Sequence, residues 1–349
     1  MSHEFYMQRC VELAKKGGLA TRTNPMVGAV LVHNDRIIGE GWHTHYGGPH
    51  AEVNAIGSVK ESDRKYISDS TLYVSLEPCC VEGKTPACTH LILKEGIPKV
   101  VVGSVDPDSR MQGKGILQLR EKSVDVTQGI LQGECDDLIK KFKVNLKGLP
   151  YICLKWATSF DQVMGVQGKQ IAITGEKARW YTHKWRSQFD GILVGKKTLL
   201  TDHPLLDNRL FPGPSPVRII MDSKLEIPED LLKVVETKAI VVNCLMEKKQ
   251  DHIDYIKVSS TNDWNEVLHV LFQRGIYSIL VEGGAEILQS LIHSGLWHEA
   301  RVLRTPQKLK SSHPETSWIE APEIKGRLKS QLIIDNQTTA FVIDNEAKI

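Results

Sequence analysis

The first half of the chain alternates between apolar runs of strand length and amphipathic stretches of helix length. Residues 27–42, VGAVLVHNDRIIGEGW, contain two apolar runs separated by Asn34-Asp35, and this pattern predicts a β-hairpin with a tight turn. Beyond the hairpin, the pattern predicts a helix at 50–59, a strand at 70–77, a helix at 88–96, a strand at 99–105 and a helix within 129–148. Such alternation is typical of α/β proteins with largely parallel sheets.

A second alternation begins after Gly148-Leu149-Pro150. Its pattern predicts strands at 151–157, 191–195, 217–222, 239–243 and 277–282, and helices at 175–187, 262–275 and 285–295. A chain of 349 residues is also too long for one typical hydrophobic core. We therefore predict two α/β domains, formed by residues 1–148 and 149–349.

The composition narrows the class of protein. Hydrophobic residues make up 41% of the chain, charged residues 25%, and the net charge is +2. These values favour a folded globular protein and argue against nucleic acid or a membrane as a partner. No apolar stretch reaches the ~18 residues that a membrane span needs, and the start MSHEFYMQRC lacks the pattern of a signal peptide. We therefore expect a cytoplasmic protein with reduced cysteines.

Two short motifs in the first half predict a metal site. His50 and Glu52 form a His-x-Glu motif at a predicted helix start, and Cys79 follows Pro78 at the end of a predicted strand. One histidine and two cysteines, with a nearby glutamate outside the ligand set, are the signature of zinc-dependent deaminases. Three protein ligands leave the fourth tetrahedral position of zinc for a water molecule. The pattern therefore predicts a catalytic zinc, with Glu52 as general acid/base.

The second cysteine ligand has two candidates. Cys80 is adjacent to Cys79, and neighbouring residues rarely both reach one ion without strain, whereas Cys88 stands across a wide loop. We therefore assign one zinc per chain to His50, Cys79 and Cys88, and leave Cys80 without the metal. A structural zinc, or reduced thiols in a core, would be the plainer interpretation of the same residues.

The second half contains a weaker signal. Residues 281–290, VEGGAEILQS, place Gly283-Gly284 between a predicted strand and a predicted helix. Glycines let the backbone approach a phosphate, and a helix N-terminus supplies free N–H groups. A tight turn would explain the glycines equally well. Lys155, within the apolar strand YICLKWA, needs a partner or a function.

Longer segments carry a resemblance to a known family. TNPMVGAVLV, PHAEVNAI, PCCVEGKTPAC and DPDSRMQGKGI in the first half, and PYICLKWATSFD, HKWRSQFDGILVGKKTLLTDHPLLDNR, PVRIIMD and LVEGGAEILQSLI in the second, resemble the bifunctional riboflavin-biosynthesis deaminase/reductase. The resemblance runs through nearly the whole chain, in the family's domain order. It implies a cytidine-deaminase-like α/β/α domain with a mixed sheet, followed by a dihydrofolate-reductase-like α/β domain.

The resemblance also implies an activity. In that family, the first domain removes an amino group from 2,5-diamino-6-ribosylamino-4(3H)-pyrimidinone 5′-phosphate with the help of zinc. The second domain reduces the ribosyl group to a ribityl chain with NADPH. The partner implied is this small phosphorylated pyrimidine, and the family further implies a homo-oligomer.

Site residues follow from the resemblance in three groups. On the substrate side of the deaminase it implies Asn24, His43, Lys84, Thr85 and Asp106. On the substrate side of the reductase it implies Lys155, Gln170, Thr174, Arg186, Leu206, Arg209 and Glu282. On the nucleotide side it implies Ala157, Ala172, Thr198, Asp202, Ser223, Gly284, Ala285, Glu286, Ile287, Leu288, Gln289 and Ser290.

The chain departs from the family pattern at a few positions, and this keeps two other functions open. The departures are Val81 for His, Ala87 for Pro, Asp108 for Asn, Gln162 for Gly and Ala172 for Trp. One alternative is a zinc deaminase of another nucleobase or nucleoside with a second domain that only binds. The other is a non-catalytic nucleotide-binding protein with a structural zinc, against which Glu52 argues, because a structural site needs no base.

Overall fold

The computed structural model describes residues 1–82, 86–233, 237–311 and 317–348. The chain forms two compact units, Met1–Lys147 and Gly148–Ile349. In the described residues, no helix is both long and apolar enough to cross a membrane.

The first unit has five helices and five strands in its described part. In chain order they are α1 (His3–Lys15), β1 (Gly28–His33), β2 (Arg36–Trp42), α2 (Ala51–Gly57), β3 (Thr71–Leu76), α3 (Cys88–Lys94), β4 (Lys99–Ser104), α4 (Lys114–Glu121), β5 (Asp125–Gln128) and α5 (Gln132–Asn145). Short 3₁₀ helices form at Gly18–Thr21 and Glu61–Asp69.

The sheet of the first unit is mixed. Its strand order is β2-β1-β3-β4-β5, with antiparallel pairing of β2 with β1 and of β1 with β3. The pairs β3–β4 and β4–β5 are parallel. The carboxyl ends of β3 and β4 therefore lie at the same edge of the sheet, and the residues that follow them, from Glu77 and from Val105 onward, meet there.

The second unit is built on a larger sheet. Its elements are β6 (Tyr151–Thr158), β7 (Val163–Val166), α6 (Glu176–Arg186), β8 (Gly191–Gly195), α7 (Lys196–Asp202), β9 (Val217–Met221), α8 (Glu229–Lys233), β10 (Ala239–Asn243), β11 (Lys248–Gln250), β12 (Ile253–Lys257), α9 (Trp264–Gln273), β13 (Ser278–Val281), α10 (Ala285–Ser294), β14 (Glu299–Arg304), β15 (Trp318–Glu320), β16 (Arg327–Asp335) and β17 (Thr338–Asp344). A 3₁₀ turn forms at Glu346–Lys348.

The ten strands of this sheet have the order β11-β12-β10-β9-β8-β13-β6-β14-β17-β16. The pairs from β12 to β14 are parallel, and the strands at both edges are antiparallel. Strands β7 and β15 form a separate two-stranded sheet. Since β6, β8, β9 and β13 are parallel neighbours, the residues that follow them collect at one edge, where α/β proteins commonly bind ligands.

The predicted elements appear near their predicted places. The hairpin turn is formed by Asn34 and Asp35, both with positive φ (46° and 60°), which matches the twist of the flanking strands. The sequence pattern did not predict four helices, α1, α4, α7 and α8, or the strands β5, β7, β11, β12, β14, β15, β16 and β17. Strand β16 is exposed over most of its length, so it has no buried face to impose an apolar period.

Candidate active sites

Three side chains from separate elements converge in the first unit. His50 is the N-cap of α2, with an extended backbone, and Cys79 follows β3. Cys88 is the first residue of α3. One ligand atom from each residue lies within 4.8 Å of the other two, so the three residues form a group that can hold a metal ion.

The spacing of these atoms suits zinc. The Nδ1 atom of His50 lies 3.4 Å from the sulfur of Cys79 and 3.3 Å from the sulfur of Cys88. Zinc with its usual bond lengths to nitrogen and sulfur, in tetrahedral geometry, places such a nitrogen and sulfur about 3.6 Å apart. The donor set of one imidazole and two thiols is also one that zinc prefers. Cys80 lies outside this group.

The surroundings favour a thiolate at Cys79. The Cys88 thiol, followed by His50, lowers the pKa of Cys79 to about 4 against the opposing effect of burial. The backbone N–H of Cys88, at the start of α3, also donates to the Cys79 sulfur over 3.2 Å. A thiolate is the form of cysteine that binds a metal. Thus the first turn of α3 provides both a ligand and a donor that stabilises the other ligand.

Glu52 lies beside the metal-binding group without being part of it. It is in the first turn of α2, and its side chain is 3% exposed. Burial raises the pKa of its carboxyl group, while His50 opposes this shift. A buried carboxyl group with a raised pKa beside a group of metal-binding side chains suits proton transfer near neutral pH.

Three of the other predicted residues of this site, Asn24, His43 and Asp106, lie in the described part of the chain. Asn24 is half-buried and hydrogen-bonds through Nδ2 to Nε2 of His43, which is buried. Asp106 is buried after β4, and its Oδ1 accepts from the backbone N–H of Asp108. Lys84 and Thr85 lie outside the described residues. The structure thus pairs Asn24 with His43 at the loop that precedes His50.

A buried glutamate joins the two loops at the edge of the sheet. Glu77 follows β3, two residues before Cys79, and is 4% exposed. Its Oε2 accepts from the backbone N–H groups of Asp106 and Gly113 over 3.1 and 2.9 Å. Its Oε1 accepts from those of Gly115 and Ile116, over 2.9 and 3.3 Å. Glu77 was not among the residues predicted from the sequence, where its only signal was a charged residue at the end of an apolar strand.

The second unit contains a large cleft along the edge of its sheet where the parallel strands end. Its volume is about 1560 Å³, and all the residues that line it belong to this unit. The predicted reductase residues that line it are Lys155, Ala157, Gln170, Ala172, Thr174, Arg186, Thr198, Asp202, Leu206, Arg209, Ser223, Glu282, Gly284, Ala285, Glu286, Ile287 and Ser290. The side chains of Leu288 and Gln289 do not: Leu288 belongs to the hydrophobic core, and Gln289 contacts His293.

Three charged side chains meet at one wall of this cleft. Glu282 follows β13, Lys155 lies on the adjacent strand β6, and Arg186 ends α6. The Arg186 guanidinium donates to both carboxylate oxygens of Glu282 over 2.8 and 3.0 Å, and Lys155 Nζ lies 3.5 Å from the same carboxylate. The side chains are only 7–13% exposed. Lys155 thus has a charged partner, which a lysine within an apolar strand requires.

Neighbouring charges and burial shift the pKa values of Glu282 and Lys155 in opposite directions. Burial would raise the pKa of Glu282, but Arg186 and Lys155 hold it at about 2. Burial lowers the pKa of the Lys155 ammonium, and Glu282 opposes this shift. Glu282 is therefore a carboxylate that holds two cations at the wall of the cleft.

His183 is a further residue of this cleft that the sequence analysis missed. It is 2% exposed on α6, one turn before Arg186, and its Nδ1 accepts from the backbone N–H of Arg209 over 3.2 Å. Arg186 in turn donates to the carbonyl of Asp207. These two bonds fix the 206–209 loop against α6. The only sequence signal for His183 was its position three residues before Arg186 on the same predicted helix.

Both halves of the chain match models of known families. Residues 1–104 match the cytidine and deoxycytidylate deaminase zinc-binding region, and residues 150–314 match the RibD C-terminal domain. These matches support the expected fold class, a cytidine-deaminase-like unit followed by a dihydrofolate-reductase-like unit. They also support the expected cofactors, zinc in the first unit and NADPH in the second.

Similar proteins span nearly the whole chain. The riboflavin biosynthesis protein RibD of Actinobacillus pleuropneumoniae is 36% identical over 325 residues, which cover 89% of this chain and 85% of that protein. RibD of Bacillus amyloliquefaciens is 37% identical over 319 residues, with 87% and 84% covered.

Solved structures of similar fold also span nearly the whole chain. A diaminohydroxyphosphoribosylaminopyrimidine deaminase/5-amino-6-(5-phosphoribosylamino)uracil reductase from Thermotoga maritima matches with a TM-score of 0.84 and 29% identity, over 98% of each chain. RibD from Acinetobacter baumannii matches with a TM-score of 0.82 and 28% identity, over 98% of this chain and 99% of that one. The chain therefore belongs to the RibD family of riboflavin biosynthesis proteins, enzymes with a zinc-binding deaminase domain and a reductase domain.

Proposed function

We propose that this chain carries out two consecutive reactions on one phosphorylated pyrimidine. Residues 1–148 would deaminate 2,5-diamino-6-ribosylamino-4(3H)-pyrimidinone 5′-phosphate, and residues 149–349 would reduce its ribosyl group to a ribityl chain with NADPH. The observation that carries the proposal is the buried Glu52 beside the group of His50, Cys79 and Cys88, because a structural zinc site needs no base.

The deaminase chemistry follows from these side chains. His50, Cys79 and Cys88 would hold zinc, which lowers the pKa of a bound water to about 7 and so supplies the nucleophile. Glu52 would accept a proton from the attacking water and pass it to the departing amine, so that a C–O bond forms, the C–N bond breaks and ammonia leaves. Burial raises the pKa of the Glu52 carboxyl group, so near neutral pH this group accepts and holds a proton more readily than an exposed glutamate would.

In the reductase unit, the charged wall of the cleft would orient the ribosyl group. NADPH supplies a hydride when it is bound. Lys155 and Glu282 present an ammonium and a carboxylate to the sugar hydroxyls, and Arg186 holds Glu282 in place. Arg209 is half-exposed at the cleft and suits the 5′-phosphate, which a guanidinium group can bind bidentately. The α10 N-terminus after Gly284 suits a phosphate of the nucleotide.

Two further expectations belong to this proposal. The seven cysteines, all within the described residues, form no disulfide, and we expect the chain to work in the cytoplasm. A homo-oligomer remains a prediction from the resemblance.

The decisive experiment is product analysis. The purified protein is incubated with the diamino substrate, with and without NADPH, and the products are identified by mass spectrometry. We expect exchange of one amino group for oxygen without NADPH, and the further gain of two hydrogens with it. Unchanged substrate in both reactions would contradict the proposal.

One observation favours testing a second substrate class in parallel. Where the family has an asparagine, Asp108 binds Arg110 through its carboxylate, so the loop that follows β4 differs in charge from the family pattern. Cytosine, adenine and guanine nucleosides therefore accompany the diamino substrate in the same assay. Deamination of one of these, with no reaction of the diamino substrate, would support a deaminase of another nucleobase with a second unit that only binds.

A further inference from the structure

His183 is a buried histidine on α6 that lines the cleft of the second unit. It is 2% exposed, and its Nδ1 lies 3.2 Å from the backbone nitrogen of Arg209. Within the described residues, no group hydrogen-bonds to the other ring nitrogen, Nε2. A buried ring with one nitrogen free of protein partners therefore lies against the cleft.

The bond to Arg209 determines which ring nitrogen carries the proton. A backbone N–H only donates, so Nδ1 must accept and cannot itself be protonated. A neutral imidazole then has its proton on Nε2. Burial, followed by the charges of Arg186 and Arg209, lowers the pKa of His183, and Asp207 and Glu282 oppose this shift. The neutral ring therefore prevails at neutral pH, with Nε2–H as a donor that no described residue uses.

The charged groups around this ring favour an anion at the same wall of the cleft. Lys155 and Arg186 both pair with the carboxylate of Glu282. Arg209 pairs with Asp207. Three cations thus face two carboxylates, which leaves an excess of positive charge. These cations would repel an imidazolium, whereas a neutral N–H adds a hydrogen-bond donor without adding charge, and an ionised oxygen is its strongest acceptor.

Two phosphorylated molecules would enter this cleft in the proposed reduction, the pyrimidine substrate and NADPH. The N-terminus of α10, after Gly284, suits a phosphate of the nucleotide. Arg209, whose backbone holds the histidine ring, has a half-exposed side chain at the cleft and suits the 5′-phosphate of the substrate. The bond between His183 and Arg209 therefore favours the substrate phosphate as the acceptor.

We propose that His183 is a substrate-binding residue of the reductase unit, whose neutral Nε2–H donates a hydrogen bond to an oxygen of the substrate's 5′-phosphate. The same ring has two functions, since Nδ1 holds the backbone of Arg209 and Nε2 binds the ligand. This inference rests on the proposed reduction, and it adds a residue to those that the family resemblance implied.

Two variants separate the two ring nitrogens. His183→Asn retains an acceptor near the position of Nδ1 for the N–H of Arg209, but it has no group at the position of Nε2. His183→Gln reaches the position of Nε2 with an amide N–H and gives up the acceptor at Nδ1. The dissociation constant of the phosphorylated, deaminated substrate is measured by calorimetry without NADPH.

We expect His183→Asn to bind this substrate roughly tenfold more weakly than the parent, as for the loss of one hydrogen bond to a charged group. His183→Gln should bind it more tightly than His183→Asn, because it restores a donor at the second position. Parent affinity in His183→Asn would overturn the proposal, since it would show that the histidine only holds the loop of Arg209.

Two further ligands identify the group that His183 binds. The dissociation constants of NADPH and of the dephosphorylated substrate are measured for the same variants, and we expect both to remain at the parent values. Weaker binding of NADPH alone would assign the donor to the nucleotide and overturn the proposal. Equal weakening for the substrate with and without its phosphate would also overturn it, because it would show a general distortion of the cleft.

The controls distinguish this proposal from the proposed function. His269→Ala removes an exposed histidine on α9 that contacts Gln273 and should leave every dissociation constant unchanged. A parent protein that binds the substrate without oxidising NADPH would contradict the proposed reduction, while the binding comparison would still decide on His183. A parent that binds no substrate would overturn both. Ammonia release should be unaltered in all these variants, because His183 belongs to the second unit.

Discussion

Cys79 and Cys80 are neighbours in the chain, but their thiols have different surroundings. Cys79 faces His50 and Cys88, and its pKa falls to about 4. The Cys80 thiol points to the sulfur of Met111, 3.9 Å away, and burial raises its pKa. At the scale of single residues, the direction that each thiol faces distinguishes the metal ligand Cys79 from the partly buried thiol of Cys80.

The first prediction concerns the metal content. Purified protein should carry about one zinc per chain, since three protein ligands converge once in the described part of the chain. Cys79→Ser and Cys88→Ser should lose the zinc, and Cys80→Ser, the matched control in the same loop, should keep it. Metal analysis by mass spectrometry checks this, and a Cys80→Ser variant as poor in zinc as Cys79→Ser would refute the assignment.

A second prediction at this scale separates zinc binding from catalysis. Glu52→Gln keeps the shape of the side chain but removes its capacity to carry a proton. We expect the variant to retain zinc and to deaminate about 10²–10⁴-fold more slowly, the usual contribution of a general acid/base. Ammonia release and zinc content are measured on the same preparation. Deamination at the parent rate would show that another group moves the proton.

At the scale of elements, the zinc-binding edge depends on the bonds between two loops. Glu77 accepts four backbone N–H groups from the residues between Asp106 and Ile116, which include the start of α4. Gly115 permits this packing, since a Cβ there would lie 2.1 Å from the carbonyl oxygen of Pro78. The end of β3, which leads to Cys79, and the first turn of α4 thus pack directly against each other.

The third prediction tests this packing. Glu77→Ala leaves four N–H groups without an acceptor, and buried donors without partners cost about 1–3 kcal/mol each. Allowing for partial access of water, we expect the free energy of local opening to fall by roughly 3 kcal/mol, so that amides in 106–116 exchange roughly a hundredfold faster. Hydrogen exchange followed by mass spectrometry measures this. Glu121→Ala, an exposed change at the end of α4, should leave the exchange unaltered, and equal effects of both variants would contradict the role of Glu77.

At the scale of the whole molecule, each candidate site is built entirely within one unit. The zinc ligands and Glu52 belong to Met1–Lys147, whereas Lys155, Arg186 and Glu282 belong to Gly148–Ile349. The two reactions also require different geometry, because a hydride donor must face the ribose and the zinc-bound water must face the pyrimidine ring. The structure therefore favours two separate sites on one chain.

The fourth prediction follows from this separation. Lys155→Ala should abolish NADPH oxidation with the deaminated substrate and leave ammonia release from the diamino substrate largely intact. Glu52→Gln should show the converse. Lys233→Ala, in an exposed ion pair with Glu229, is the control and should retain both activities. Paired assays of nicotinamide absorbance and ammonia, with folding checked by circular dichroism, provide the measurement. Loss of both activities in either well-folded variant would refute two independent sites.

The sequence alone determined what depends on short segments of chain. The apolar pattern predicted most central strands, and the motifs around His50, Glu52, Cys79 and Cys88 predicted a zinc site before any coordinates, because ligand types and helix starts are local properties. The same holds for the turn at Asn34-Asp35, where two residues adopt positive φ.

Only the tertiary structure decided which groups, far apart in sequence, form hydrogen bonds and ion pairs with one another. Glu77 has its acceptor role because β3 and β4 are parallel neighbours, which brings the loop after β4 to its carboxylate. Glu282 neutralises Lys155 because β13 pairs with β6 in parallel, although the two residues are far apart in sequence. The hydrogen bond between Asn24 and His43 likewise joins residues 19 positions apart in sequence. A buried charge or amide takes its state from the partners that the fold places around it, and sequence spacing does not specify those partners.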